Sequence, residues 1–209
     1  MCEHVPNGGK LLEIAIGTGY PFADFFEKAG YSVYGIDISP DLIENCRQLN
    51  PNINCKVGDA EGLDYPHDYF DGTYCFHSTW YFPKLNQAID EMLRVTRTGG
   101  LVMFDIQNRN NEEIDSAYRK RLSDSTGMVR MVRFAKEVVA WLILGRRTPI
   151  WNLPDYEVPT YPKSIYEHLK ENRISDFQVM VRHNDESIET RSGFSSFENI
   201  ARLVFAITK

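Results

Sequence analysis

The ten residues LLEIAIGTGY, at positions 11–20, combine a buried β-strand with a turn that carries two glycines. The apolar run LLEIAI has the composition of a strand inside a sheet. Gly17 and Gly19 allow the backbone to turn sharply and to approach a ligand closely. This stretch therefore predicts the first strand of an α/β sheet, followed directly by a ligand-binding turn.

Strand and helix signals alternate along the next ninety residues. A helix is predicted from Pro21 to Lys28, and Ser39 and Pro40 have the residue types that cap and begin a second helix. Apolar residues at helical spacing predict a third helix over 85–93, which the glycine pair 99–100 is expected to end. The further predicted strands are YSVYGID, INCKVGD, FDGTYCF and LVMFDI, at 31–37, 53–59, 70–76 and 101–106.

This alternation predicts the α/β class, as a Rossmann-like parallel sheet with helices on both faces. Residues 176–183 and 199–209 are expected to form a C-terminal antiparallel strand pair, joined by the polar segment NDESIETRSG. More than fifty residues separate the fifth strand from the next convincing helix, 162–172, which is too many for a simple connection. We therefore expect a single domain, 1–209, with a helical insertion after the fifth strand, over 107–161.

Composition narrows the classes of function. With 209 residues and 43% apolar content, the chain is long enough for one well-buried domain. A net charge of −6 disfavours a nucleic-acid partner. The four cysteines lack metal-ligand spacing, so we expect no metal and reduced thiols in a cytoplasmic protein. The longest apolar run, 138–144, is much shorter than the ~20 residues of a membrane span, so no integral membrane segment is expected.

The ends of the predicted strands carry several carboxylates. Ligands of open α/β sheets bind at the carboxyl ends of the strands. Asp37 follows the glycine turn at the distance where dinucleotide sites place a ribose-binding acid, but Phe22 stands where their fingerprint requires a third glycine. Asp37, Asp59 and Glu61 would also repel a pyrophosphate. A ligand with a ribose diol and positively charged sulfonium and amino groups fits better, and S-adenosylmethionine has these groups.

Four motifs in order resemble the class I S-adenosylmethionine-dependent methyltransferases, of the small-molecule type. They are EIAIGTG, YGIDISPDLIENCR, VGDAEGLDYPHDYFDGTYCFHSTWYF and AIDEMLRVTRTGGLVMFD, within roughly residues 10–106. Family members usually have glycine at Ala15, proline at Thr98 and one or two helices before the first strand. The resemblance implies methyl transfer from S-adenosylmethionine to a small molecule. Residues 76–79, FHST, stand where an asparagine-proline-proline-tyrosine motif would indicate a nucleobase or amide nitrogen target. O- or C-methylation is therefore favoured, and other nitrogen targets stay open.

The resemblance also assigns contacts to individual residues. Glu13 and the glycine turn would lie by the methionine part, Asp37 would bind both ribose hydroxyls, and Asp59 would accept from the adenine amine. The implied cofactor-binding residues are Glu13, Ala15, Ile16, Gly17, Gly19, Tyr20, Asp37, Ile38, Asp59, Ala60, Glu61, Phe76 and His77. The implied substrate-pocket residues are Trp80 and Tyr81.

His77 has two interpretations. Methyl transfer from a sulfonium mainly needs positioning and a dry pocket, so a base is optional. For a hydroxyl acceptor, a histidine with an ordinary pKa of ~6.5 is a suitable catalytic base. Otherwise His77 only shapes the pocket. The aromatic residues Tyr20, Trp80, Tyr81 and Phe82 likewise either stack on the substrate or pack as core and rim.

The insertion is basic in an acidic chain, with eight basic and two acidic residues from Arg119 to Arg147. An apolar stripe at helical spacing is formed by Met128, Val132, Ala135, Val139 and Leu142. Three interpretations stay open: a lid over the substrate pocket, a peripheral membrane contact through 128–147, or a homodimer contact or solvated helix.

Two other functions are compatible with the sequence. A non-catalytic S-adenosylmethionine-binding subunit or regulatory module would bind the cofactor without turnover. An NAD(P)-dependent oxidoreductase would bind a nicotinamide cofactor instead.

Overall fold

The computed structural model describes residues 4–125, 158–182, 188–192, 200 and 202–209. The helices are α1 (Phe22–Lys28), α2 (Pro40–Leu49), α3 (Leu85–Val95), α4 (Glu112–Ser125) and α5 (Pro162–Glu171). The strands are β1 (Lys10–Ile14), β2 (Ser32–Asp37), β3 (Asn54–Val57), β4 (Phe70–Cys75), β5 (Thr96–Gln107), β6 (Phe177–Arg182), β7 (Ile188–Ser192) and β8 (Arg202–Thr208). A short 3-10 helix, Thr79–Tyr81, follows β4. The predicted alternation of strand and helix up to β5 is confirmed.

The described strands form one sheet in the order β3-β2-β1-β4-β5-β8-β6-β7. Strands β1 to β5 are parallel, and β8 pairs antiparallel with both β5 and β6. The order of the strands reverses at β1, because β2 lies on one side of it and β4 on the other. Ligands of parallel sheets bind outside the carboxyl ends of the strands at such a reversal. The residues that follow β1, β2 and β4 therefore border the candidate site.

The C-terminal region contains one strand more than the predicted pair. The polar segment NDESIETRSG, expected to be a connection, includes β7, which pairs with β6 at the edge of the sheet. An edge strand pairs on one side only, and β7 leaves its large apolar residue Ile188 exposed. Its sequence therefore lacks the half-buried alternation that identifies a strand. The Rossmann-like fold class with C-terminal antiparallel strands is confirmed.

The prediction that Gly99 and Gly100 end α3 is wrong. The helix ends at Val95 and β5 begins at Thr96, so both glycines lie within the strand. A Cβ on Gly100 would lie only 2.7 Å from the carbonyl oxygen of Asp71. Glycine is needed there because two backbones approach closely.

Helices cover both faces of the sheet. The adjacent residues Leu11 and Leu12 of β1 belong to opposite faces, as the two-residue period of a strand requires. Leu12 lies in a buried cluster with Ile89 of α3, whereas Leu11 lies in a cluster with Ile43 of α2. The apolar strands are thus buried on both sides, which explains why their sequences are nearly continuous apolar runs.

Only the two ends of the predicted insertion, 107–161, are described. The first end contains α4, so a helix does follow the fifth strand. The predicted apolar stripe lies outside the described residues: Met128, Val132, Ala135, Val139 and Leu142. The lid, the membrane contact through 128–147 and the homodimer stay predictions. Within the described residues, no helix is long and apolar enough to cross a bilayer.

Candidate cofactor and acceptor site

The turn after β1 is built from residues with left-handed backbone conformations. Ala15, Gly17 and Gly19 have φ values of 58°, 58° and 87°. The carboxylate of Asp37, at the end of β2, accepts hydrogen bonds from the backbone N–H of Gly17 at Oδ2 and of Ser39 at Oδ1, both at 2.9 Å. A carboxylate has about four acceptor positions, so Asp37 can fasten the turn and still accept from a ligand. The structure thus joins two residues that the sequence placed at separate strand ends.

Glu13 is a buried acid directly beside this turn. Only 6% of the residue is exposed, and its Oε2 accepts a hydrogen bond of 3.1 Å from the hydroxyl of Tyr74. Burial raises the pKa of Glu13 to about 8, although the hydrogen bond from Tyr74 lowers it in part. A carboxyl group in this state gains a favourable interaction when a cation approaches it. The site therefore suits the ammonium group of a methionine-like ligand.

Asp59, Ala60 and Glu61 follow β3 in a tight turn. Asp59 Oδ1 accepts the backbone N–H of Glu61 at 2.8 Å, while Ala60 is buried. The carboxylate of Glu61 accepts the backbone N–H of Lys84 at 2.7 Å, at the N-terminus of α3. Glu61 therefore holds α3 against the turn, and its cofactor contact stays a prediction because a carboxylate keeps further acceptor positions. Sequence reasoning missed this role because Lys84 is 23 residues away.

Two large apolar side chains are exposed around the turn. Ile38, next to Asp37, is 64% exposed, and Tyr20, next to Gly19, is 78% exposed. Ile16, in contrast, is buried, and its backbone N–H donates to the carbonyl of Ile36 at 2.9 Å. Ile38 and Tyr20 are thus available to a flat ligand, whereas Ile16 fixes the turn to β2.

The end of β4 is held by a residue from β5. The backbone N–H of His77 donates to Oδ1 of Asp105 at 2.7 Å, and Asp105 is 3% exposed. Burial raises the pKa of Asp105, although the hydrogen bond from the His77 backbone and the nearby charge of Arg202 lower it in part. Nη1 of Arg202 lies 2.9 Å from Nδ1 of His77. Asp105 lies inside β5, within the predicted strand LVMFDI, so the rule that functional residues follow strands does not identify it, and Arg202 carries no sequence signal either.

Aromatic rings surround His77. The ring centroids of Phe22 and Phe76 are 5.0 Å apart, and the His77 ring lies 6.3 Å from that of Phe22 and 6.3 Å from that of Trp80. Trp80 is 5% exposed, whereas Tyr81 is partly exposed. Trp80 thus packs behind His77, and Tyr81 is better placed to meet a substrate.

The sheet, with its parallel strands and C-terminal antiparallel strands, resembles the fold of class I S-adenosylmethionine-dependent methyltransferases. Residues 12–104 match the family model described as "Methyltransferase domain".

The chain is also similar to curated relatives and to solved structures. The chain is 33% identical over 109 residues to methyltransferase GfsG of Streptomyces halstedii. This match covers 49% of this chain and 39% of that protein. It is 29% identical over 173 residues to the 2-methyl-6-phytyl-1,4-hydroquinone methyltransferase of a Synechocystis strain. This match covers 77% of this chain and 53% of that protein. The match thus spans about half or less of these relatives' lengths. A solved S-adenosylmethionine-dependent methyltransferase from Methanosarcina mazei has the same fold, with a TM-score of 0.61 and 17% sequence identity. The superposition covers 99% of this chain and 95% of that protein.

Proposed function

We propose that this chain transfers a methyl group from S-adenosylmethionine to a small-molecule acceptor, with an oxygen or carbon atom as the favoured target. The observation that carries this proposal is the 2.9 Å hydrogen bond between the Gly17 N–H and the carboxylate of Asp37. It joins the turn and the acid into one preorganised surface, with acceptor positions left for a ribose diol.

Each cofactor-binding residue has a separate task in this proposal. When bound, S-adenosylmethionine supplies a methyl group that is activated by its sulfonium leaving group. Asp37 accepts from the ribose hydroxyls, and Asp59 accepts from the adenine amine through the oxygen that does not hold Glu61. Glu13 pairs with the ammonium group, which offsets the cost of burying its charge. Ile38 supplies apolar surface for the adenine.

His77 lies at the strand end where the acceptor is proposed to bind, so it either takes the acceptor's proton as a base or shapes the pocket. Nη1 of Arg202 lies 2.9 Å from Nδ1 and 3.3 Å from Nε2 of the His77 ring. Arg202 therefore contacts both ring nitrogens and does not single out one of them as free for the acceptor.

The aromatic surroundings support a flat acceptor. Phe22, Phe76 and His77 form a group of adjacent rings at the end of β4. The Synechocystis relative is named for a hydroquinone, a ring that offers both oxygen and carbon nucleophiles. A cytoplasmic location belongs to the same proposal and is supported by the buried, unbridged thiols of Cys46, Cys55 and Cys75.

Calorimetry with S-adenosylhomocysteine tests the cofactor assignment. Asp37→Asn should weaken binding about 10- to 150-fold, the equivalent of ~1.5–3 kcal/mol for a lost charged acceptor. Asp41→Asn is the matched control, because Asp41 is an exposed acid of the first turn of α2. Equal affinity in all three proteins would overturn the proposal.

Two further measurements separate the alternatives. A non-catalytic subunit would bind S-adenosylhomocysteine yet transfer no methyl group from radiolabelled donor to any member of a phenol, hydroquinone and carbon-acid panel. An oxidoreductase would show quenching of tryptophan fluorescence by NADH and none by S-adenosylhomocysteine.

A further inference from the structure

Arg109 is a buried cation whose donors are only partly used. It follows β5 by two residues and is 8% exposed. Its Nη2 donates to Oδ1 of Asp115 at 3.0 Å, and its guanidinium lies 3.6 Å from the ring centroid of Tyr118. Within the described part of the chain, its buried Nε and Nη1 atoms have no hydrogen-bond partner. Buried N–H donors of an arginine are costly to leave unpaired, so this pair of donors indicates a ligand.

The charges around Arg109 do not balance. Asp115 is shared, because its Oδ2 also contacts Nε of Arg119 at 2.5 Å. One carboxylate therefore faces two guanidinium groups, which leaves one positive charge on the Arg109–Asp115–Arg119 group. Arg119 is exposed and solvated, whereas Arg109 is buried, so the surplus charge matters at Arg109.

Arg109 lies on the edge of the sheet that carries the candidate site. It comes four residues after Asp105, whose carboxylate holds His77. Its backbone N–H donates to the carbonyl of Thr160 at 3.1 Å, which fixes the start of the segment that leads into α4. The backbone of Arg109 is thus fixed just beyond the carboxyl end of β5, the strand that pairs with β4, and its guanidinium contacts Asp115 and Tyr118 of α4.

We infer that Arg109 binds a carboxylate group of the acceptor. Tyr118 covers one face of the guanidinium. Its unpaired donors, Nε and Nη1, lie in its plane on opposite edges, so an oxygen of a carboxylate accepts from one of them. A monoanion also matches the single surplus charge better than a phosphate, which carries about −1.5 to −2 at neutral pH. The inference deepens the proposed function and rests on it, because it names the class of acceptor as a carboxylic acid.

The test uses the side-chain Nε–H resonance of Arg109 in ¹⁵N-labelled protein at pH 7, assigned by through-bond correlation to its own backbone. Sodium benzoate, benzamide and inorganic phosphate are titrated separately into protein saturated with S-adenosylhomocysteine. Benzoate should shift this resonance saturably, and benzamide, which has the same shape without the charge, should not. Arg119→Gln is the matched control and should keep the response, because Arg119 contacts the same Asp115 from the solvent side.

Three results would overturn the inference: no shift with benzoate, an equal shift with benzamide, or tighter binding of phosphate than of benzoate. Arg109→Lys gives a second readout, since it keeps the charge and should lose at least ten-fold in benzoate affinity. The heat of S-adenosylhomocysteine binding is measured on the same samples. If S-adenosylhomocysteine binds with measurable heat and benzoate has no effect, only the assigned class of acceptor is wrong. If S-adenosylhomocysteine does not bind, the proposed function fails whatever the result with benzoate.

Discussion

The backbone N–H of His77 donates to the carboxylate of Asp105 over 2.7 Å and so ties the end of β4 to the neighbouring strand β5. His77 has a φ of 62°, a conformation that residues other than glycine rarely adopt. The buried Asp105 therefore stabilises an unfavourable backbone conformation at the position where the acceptor is proposed to bind. The imidazole reaches Arg202 from this position.

The first prediction tests Asp105 as a positioning residue. Asp105→Ala removes the acceptor of the His77 N–H and should lower kcat about 10- to 100-fold, because a small misplacement near the reacting atoms has effects of this size. Asp105→Asn should recover most of the activity, since its amide oxygen still accepts. Both variants should bind S-adenosylhomocysteine within about three-fold of wild type. A purely structural role for Asp105 would instead lower cofactor affinity and kcat together.

The second prediction concerns proton release at Glu13. With a pKa of about 8 in the free protein, Glu13 is mostly protonated at pH 7. The ammonium group of S-adenosylhomocysteine favours the charged carboxylate, so binding should release close to one proton. Calorimetry at pH 7 in buffers of different ionisation enthalpy measures this number directly. Glu13→Gln should release essentially none, and an unchanged proton count in that variant would place the titrating group elsewhere.

The third prediction uses the same residue to change the pH dependence of stability. The pKa of Glu13 is raised in the folded protein, from 4.5 to about 8. The folded state therefore binds more protons than the unfolded state, and stability falls as pH rises from about 4.5 through about 8. Glu13→Gln removes the charge and should raise the free energy of unfolding by roughly 3–5 kcal/mol at pH 8.5 and by much less at pH 4.5. Urea unfolding of Glu13→Gln and wild type at both pH values checks this. The same difference in unfolding free energy between the two proteins at both pH values would contradict it.

The fourth prediction compares the two glycines of the first turn. Both have positive φ, so alanine at either position should cost about 1–2 kcal/mol of stability. A Cβ on Gly17 would meet no atom within 4 Å, whereas one on Gly19 would lie 2.8 Å from the Asn50 side chain and 3.2 Å from Cys46 Sγ. Gly19→Ala should therefore be the more destabilising variant, as measured by urea unfolding. Equal losses of stability in the two variants would mean that backbone strain alone sets the cost of the substitution.

The sequence by itself determined the parallel half of the fold. Apolar runs identified β1 to β5, because the burial of a strand on both faces depends on neighbouring residues along the chain. Once the strands are assigned, the carboxyl ends of parallel strands must share one edge, which places Gly17, Asp37 and Asp59 together. The same reasoning failed for β7, an edge strand whose sequence has no apolar pattern, and for Gly100, whose role depends on the approach of another strand.

Only the tertiary structure decided which of these residues touch and which are already occupied. Arg202 reaches His77 across 125 residues of chain, because β8 lies beside β5 rather than at the sheet edge. Glu61 also holds the N-terminus of α3, a contact that its place after β3 did not indicate. Arg109 keeps unpaired donors because its neighbour Asp115 is shared with a second arginine. Contacts of this kind depend on long-range strand order and on competition for partners, which local sequence patterns do not encode.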